Sequence, residues 1–275
     1  MAVRLIARLR RGSAGLRATA LALAAGLVPG AARAQDDVRP PADFTAMDIE
    51  ELARVRITSV SRRPEPVAHA AAAVTVISRE DLRRSGATTL PDMLRAVPGL
   101  SVARIGSHDW AVSARGFNHQ LSDKLLVVVD GRTVYSPIFG GVFWDAVAVP
   151  LDEIERIEVI RGPGATLWGA NAMNGVINII TRPAAESDGG RIAVATGTRI
   201  PIRGSVRYGN TFGQGTAYRV YAGGRDRDPA QLADGTDAND GWRFGQTGFR
   251  IDGAPGAERW TLQGDLYRGE GESAL

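Results

Sequence analysis

His69, His108 and His119 are the only histidines in the 275-residue sequence, and it contains no cysteine. A protein metal site needs such ligands at set spacings, and these three stand alone. Without cysteine there is neither a disulfide framework nor a thiolate nucleophile. No nucleophile elbow, phosphate-cradling loop or dinucleotide fingerprint occurs. Asp145 and Asp152 fall in a presumed loop and turn, where carboxylates are ordinarily solvated. The residue chemistry therefore argues against an enzyme and calls for no cofactor and no metal. What remains is binding and transport.

The elements that position the remaining side chains divide at Arg182. Before it, short helix and strand signals alternate. Val74 to Ile77 is β-rich. Ser78 with Asp81 three residues on predicts a capping box, and Gly86 suits the helix stop. Thr89 with Asp92 predicts a second helix through Ala96, terminated at Pro98-Gly99. Leu125 to Val129, Asp130-Gly131 and Thr133 to Tyr135 predict a hairpin on an Asp-Gly turn. Ile154 to Ile160 and Val176 to Thr181 read as strands. Between them, Gly162, Gly164, Gly169 and Gly175 supply positive φ or close backbone approach. This mixture defines an α+β domain.

After Arg182 the helix signals end. Gly190 to Thr198, Ser205 to Phe212, Ala217 to Arg225, Trp242 to Ile251 and Trp260 to Tyr267 are five alternating segments of roughly ten residues with aromatics near their ends. That is the pattern of a transmembrane β-barrel, and also of a soluble β-meander. The 92 residues from 184 to 275 suffice for about five strands. The smallest bacterial barrels need about eight, so the reading expects a truncated barrel.

The N-terminus reads as an export signal. Arg4, Arg8, Arg10, Arg11 and Arg17 precede an apolar run, Ala18 to Pro29, too short to span a bilayer, and then Ala32-Arg33-Ala34. Removing residues 1–34 takes away six arginines and no acid, turning the formal net charge from +3 to −3. The basic excess is thus no pointer to nucleic acid. Gln35 to Glu50 reads as a polar leader, and Val55 to Val60 as a short extended segment ended by Arg62 to Pro66.

RIEVIRGPGATLWGANAMNGVINIITR, from Arg156 to Arg182, resembles the end of the plug domain of TonB-dependent outer-membrane receptors. VTVISREDLRRSGATTLPDMLRAVPGLSVARIG (Val74 to Gly106) is similar to that family's plug entry. SARGF (Ser113 to Phe117), LLVVVDGRTVY (Leu125 to Tyr135) and VPLDEIERIEVIRGP (Val149 to Pro163) follow in the family's order.

The resemblance implies an α+β plug followed by the start of an antiparallel transmembrane β-barrel, with about five of roughly 22 strands present. It divides the chain into a signal peptide (1–34), a leader (35–66), the plug (67–183) and the first barrel strands (184–275). It implies import of a scarce ligand, such as an iron siderophore, haem or cobalamin, driven by TonB with ExbB and ExbD. The other partners expected are outer-membrane lipid and the small-molecule ligand.

Val55, Arg56, Ile57, Thr58, Ser59 and Val60 are the TonB-box candidate; the alternative is the plug's own first strand. Three plug loops, Arg104 to Trp110, Phe117 to Asp123 and Ser136 to Asp145, are expected to face outward and touch ligand through Ser107, His108, Trp110, Asn118, His119, Phe139, Phe143 and Trp144. Rings beside polar groups suit an amphipathic ligand, though such rings also serve as core. Arg115, Glu155, Arg156, Glu158 and Arg161 are expected as charges between plug and barrel wall. There they must pair or stay hydrated.

Overall fold

A computed structural model describes residues 56–57, 65–66, 72–116, 118–136, 138–147, 149–162, 168–169, 171–213, 215–254 and 259–271. All belong to one compact unit, Val38–Leu275. The predicted signal peptide lies outside the described residues, as does most of the leader.

β1 (Arg56–Ile57) pairs antiparallel with β2 (Glu65–Pro66), Arg56 opposite Pro66 and Ile57 opposite Glu65. The run expected to end the extended segment is instead its partner. Proline is tolerated here because so short an edge ladder asks for few donors. Val55 and Thr58 to Val60 lie outside the described residues.

The α+β body begins with β3 (Ala73–Ser78), α1 (Arg79–Arg84) and α2 (Leu90–Leu94). Ser78 and Asp81 form the expected capping box, the Asp81 amide donating to Ser78 Oγ at 3.1 Å and the Ser78 amide to Asp81 Oδ2 at 2.9 Å. Thr89 caps α2, which stops at Leu94, two residues short of expectation. β4 (Leu100–Arg104) and β5 (Trp110–Ala114) then form a separate hairpin.

β6 (Leu125–Val129), β7 (Arg132–Thr133), β8 (Ile154–Arg161) and β9 (Gly175–Thr181) complete the main sheet, in the order β3-β8-β9-β6-β7. Asp130 and Gly131 have φ of 47° and 82°. Positive φ at both central residues is the hairpin turn whose twist matches its strands. β6 and β9 pair in parallel at the sheet centre, and both are buried on both faces. That explains their unbroken apolar runs, Leu-Leu-Val-Val-Val and Gly-Val-Ile-Asn-Ile-Ile. Ile154, Ile157, Val159, Ile177 and Ile179 are fully buried and tie this sheet to Leu94 and Val97.

β10 (Gly189–Ala195), β11 (Ile202–Phe212), β12 (Thr216–Arg227), β13 (Trp242–Gly253) and β14 (Trp260–Gly271) pair antiparallel in chain order. All five strands expected from the alternation are present, as an uninterrupted meander. Its register sorts residues onto two faces. Ile192 opposes Val206, Tyr208 opposes Val220, Val220 opposes Phe249 and Ile251 opposes Leu262. That face is apolar and open, with Ile192 78% and Leu266 75% exposed. The other face carries Arg203, Arg207, Arg219, Arg225, Arg227, Arg250 and Asp252. An apolar outer face and a charged inner face form the dyad of a transmembrane barrel wall; a soluble meander would face water with its polar side.

Candidate functional site

The charged face of the meander meets the α+β body at two heights. The lower contact is built from turns that flank β8 and β9. Glu153, which ends a 3-10 turn before β8, is 3% exposed, and Arg219 of β12 is 2% exposed. Glu153 Oε2 lies 3.0 Å from Arg219 Nη1, a charge contact whose angle does not make it a hydrogen bond. The same Nη1 donates to the Arg182 carbonyl at 2.9 Å and to Ser187 Oγ at 3.2 Å. Arg207 approaches Glu153 at 3.9 Å.

Beside it, Asp130 accepts from the Thr181 amide and hydroxyl at 2.8 and 2.7 Å. Arg250 donates to Thr181 Oγ1 at 2.8 Å, lies 3.5 Å from Asp130, and is braced by Asp252 at 2.9 Å. Asp252 also accepts from the Ala184 amide at 2.6 Å. Burial pushes the Arg182 guanidinium below its ordinary range, with Glu153 opposing that shift.

The upper contact holds one loop of the body. Ser107 is 1% exposed; its amide donates to Asp240 Oδ2 at 2.6 Å, its hydroxyl reaches the Asp240 carbonyl, and its own carbonyl accepts from Arg227 at 2.6 Å. Asp240 closes its own loop by accepting from the Ala230 amide at 2.6 Å. His108 stacks on Trp242, centroids 4.4 Å apart. Asp240 belongs to the 14-residue connection 228–241, whereas the opposite end of the meander has connections of 3 and 6 residues. The upper contact is therefore at the long-loop end.

The three loops expected to bind ligand do adjoin. Gln120 donates to Asp109 at 2.9 Å, joining the second loop to the first. Gly141 lies so close to Leu121 that a Cβ would come within 2.7 Å of its backbone, joining the third to the second. Asn118 and His119 are exposed, and Phe139, 48% exposed, meets Phe143 edge-on at 5.1 Å. Trp110 and Trp144 depart from the expectation of open rings, being 4% and 6% exposed in the body's core cluster. Apolar rings adjoining a core are drawn into it.

Of the five charges expected between plug and wall, Arg115 is exposed at φ 59°, and Glu155 is half-buried. Arg156 pairs with fully buried Glu158 at 2.7 Å along β8, inside the body. Arg161 lays its stem against Gly99, and its Nε is buried without a hydrogen-bond partner. The plug carboxylates that reach the described strands of the wall are Asp152, Glu153 and Asp130, Asp152 lying 3.2 Å from Arg191 of β10. Their sequence signal was slight: Asp152 and Glu153 sit in the turn before β8, and Asp130 in the turn after β6.

Between body and wall, at the long-loop end, runs a cleft lined by Trp110, Trp144, Arg203, Arg225, Trp242 and Phe244 among others.

An α+β body fastened to the charged face of a two-faced antiparallel meander is the plug-and-wall arrangement of TonB-dependent receptors. Residues 66–176 match the family model described as the TonB-dependent Receptor Plug Domain. The chain carries that plug, followed by strands of the barrel. It is 32% identical over 180 residues to the vitamin B12 transporter BtuB of Vibrio vulnificus strain CMCP6, covering 65% of this chain and 29% of that protein. It is 35% identical over 156 residues to an iron-regulated outer membrane virulence protein of Vibrio cholerae, covering 55% and 23%. Among solved structures, the open form of the ferric-catecholate import receptor Fiu from E. coli K12 aligns with a TM-score of 0.59 and 25% identity, over 75% of this chain and 28% of that one. The chain spans less than a third of the length of these relatives.

Proposed function

We propose that this chain serves TonB-dependent active import of a scarce small-molecule ligand across the Gram-negative outer membrane, its plug gating the barrel and contacting the ligand. One observation carries the reading: plug carboxylates Glu153 and Asp130 meet Arg219 and Arg250 on the charged face of a sheet whose other face is apolar. A water-soluble sheet gains nothing from exposing Ile192, Val206, Leu262 and Leu266 together, whereas a lipid-facing wall requires it.

In this reading residues 1–34 are a cleaved signal peptide, 35–66 a periplasmic leader, 67–183 the plug and 184–275 barrel strands. Val55 to Val60 is the TonB box, recruited to TonB as an added strand, with ExbB and ExbD supplying the energy. The two-residue ladder of β1 on β2 suits a segment that must leave its place easily. Long loops face outward in outer-membrane barrels, so the 104–110 loop and its two neighbours meet the ligand from outside. Among the relatives and solved structures, one is named a transporter and another an import receptor, in keeping with a chain that performs no chemistry.

The test is uptake of radiolabelled cobalamin and ferric chelates by cells expressing the native gene, with and without TonB. Uptake of one probe that needs TonB, together with heat-modifiable protein in the outer-membrane fraction, is the expected result. Ile57→Pro should abolish it at unchanged surface level. A soluble periplasmic pool, or uptake indifferent to TonB, would overturn the reading.

A further inference from the structure

Hydrogen-bonding capacity is left over at one place in the plug–wall seam. Eight buried side-chain polar atoms have no hydrogen-bond partner among the described residues, and five of them gather at Glu153: Glu153 Oε2, Arg182 Nε, Arg207 Nε and Nη1, and Arg219 Nε. Buried polar groups are ordinarily satisfied, so a cluster of five calls for an occupant that binds them. All but the Glu153 oxygen are guanidinium donors, and such donors call for an acceptor.

Positive charge is left over at the same place. The wall sets arginines directly opposite one another, Arg191 with Arg207 and Arg219 with Arg250. Like charges so placed repel. Arg219 and Arg250 have Glu153, Asp130 and Asp252, and Arg191 has Asp152 at 3.2 Å. Arg207 has only Glu153, at 3.9 Å, beyond hydrogen-bond reach and shared with Arg219. Arg182, on the plug side, brings a third guanidinium near Glu153. Burial lowers it from its ordinary range, Glu153 opposes that shift, and Arg207 adds to it. Its companion Glu186, 4.0 Å away, is more than half exposed.

There is room for a counter-ion. A cavity of about 30 Å³ lies between the turn before β8 and the wall, lined by Arg191, Ser205, Arg207 and Gln246 as donors and by Asp152 and Glu153. One water needs roughly 10–15 Å³ of such space. The cavity therefore takes a monatomic ion and has no room for a sugar acid.

We infer that this cavity is a site for a halide-sized inorganic anion, held by Arg207 of the wall against the plug turn that carries Glu153. Asp152 and Glu153 also face the ion, but each already has its own arginine at 3.0–3.2 Å. Water would satisfy the spare donors and leave the charge of Arg207 unrelieved; an anion does both. Because the site is closed by plug and wall together, its occupancy tightens the seam. The site lies at the lower contact, apart from the ligand loops, and requires nothing of the imported ligand.

The receptor, purified in detergent from its native gene, is unfolded in urea in sodium chloride, sodium bromide or sodium gluconate at one ionic strength, which equalises screening. The plug's midpoint should be higher in both halides and rise saturably with their concentration, as for any ligand of the folded state. Arg207→Gln should weaken the apparent halide affinity by roughly 10-fold or more, and Glu153→Gln, which removes a competing carboxylate, should strengthen it. In crystals soaked in bromide, an anomalous peak should lie within hydrogen-bond reach of Arg207. Equal midpoints in halide and gluconate, the same halide response with and without Arg207, or no bromide at Arg207 would each overturn the inference and leave a cavity holding water. If Arg207→Gln forms no heat-modifiable barrel, the bromide position in the unmutated receptor decides the matter alone.

Discussion

Glu153→Gln is the sharpest probe of how the plug is fastened. The substitution keeps size and shape and removes one charge. Glu153 and Arg219 are both withdrawn from water, at 3% and 2% exposure. Without the carboxylate, Arg219 retains two neutral acceptors, the Arg182 carbonyl and Ser187 Oγ, and still faces Arg250 across the strand. A buried charge stripped of its partner destabilises by about 3–5 kcal/mol. With a urea dependence of about 1–3 kcal/mol per molar, the plug's unfolding midpoint should fall by at least about 1 M. The assay is urea unfolding of the detergent-solubilised receptor, read from plug tryptophans Trp110 and Trp144. Arg219→Met in the Glu153→Gln background should recover most of the loss, because no buried cation is then left at that position. Recovery should stop short of complete, since Arg207 also leans on Glu153 at 3.9 Å. A midpoint moved by less than about 0.3 M, or two single effects that simply add, would refute Glu153 and Arg219 as a coupled pair.

Asp240→Ala should free the Ser107 and Ala230 amides, each losing a bond worth about 1–3 kcal/mol when buried, and hydrogen exchange at both should quicken. Unchanged protection would mean that the loop is held elsewhere. Gly175→Ala puts a Cβ 2.4 Å from the Ile160 carbonyl oxygen and should destabilise the plug by about 1–3 kcal/mol or more, whereas Gly204→Ala, with open space, should be neutral. Equal behaviour of the two would discount the close approach of β8 and β9. Burial is the leading cause that raises the Asp145 carboxyl above its ordinary value. The folded plug thus holds that proton to higher pH than the unfolded chain, so this stabilising contribution is full below the ordinary carboxylate range and is lost as pH rises through the raised value. Asp145→Asn should flatten that part of the stability profile, and an identical slope in both proteins would contradict it.

How much of this was legible depended on whether the information sat in local chemistry. The Ser78 and Thr89 caps and the Asp130-Gly131 turn were readable because each is closed within three or four residues. The five wall strands were readable because one face meets apolar surroundings and the other does not, which imposes a period of two. The β4–β5 hairpin escaped notice: Trp110 to Ala114 is buried at every position, so its strand carries no alternation. The parallel pairing of β6 with β9 is set by partners some fifty residues apart, as Leu125 opposite Gly175, and no local pattern encodes it. For the three loops expected to meet ligand, the residue types were legible but not the side each ring would take. Trp110 and Trp144 turned to the core while Phe139 stayed out.

The plug–wall contact resisted prediction for a different reason, which also bears on how it works. Arg219, Arg227 and Arg203 reach the carbonyls of Arg182, Ser107 and Thr88, oxygens that belong to the chain and to no particular side chain. Plug residues in turns and at strand ends leave such acceptors unpaired, and a buried carbonyl must find a donor. The wall supplies long cationic donors that reach across and satisfy them, so the plug surface can vary in side chain and still be held. A contact made this way leaves little trace in the plug's own sequence, and charges such as Arg156 and Glu158 draw the eye instead. It is also a contact that water can replace. A carbonyl and a guanidinium separated into a hydrated lumen are both readily solvated, whereas Glu153 and Arg219, nearly dry, resist separation. The fastening is therefore uneven, firm where Glu153 and Asp130 meet the wall away from water and exchangeable elsewhere, as the gating proposed above requires.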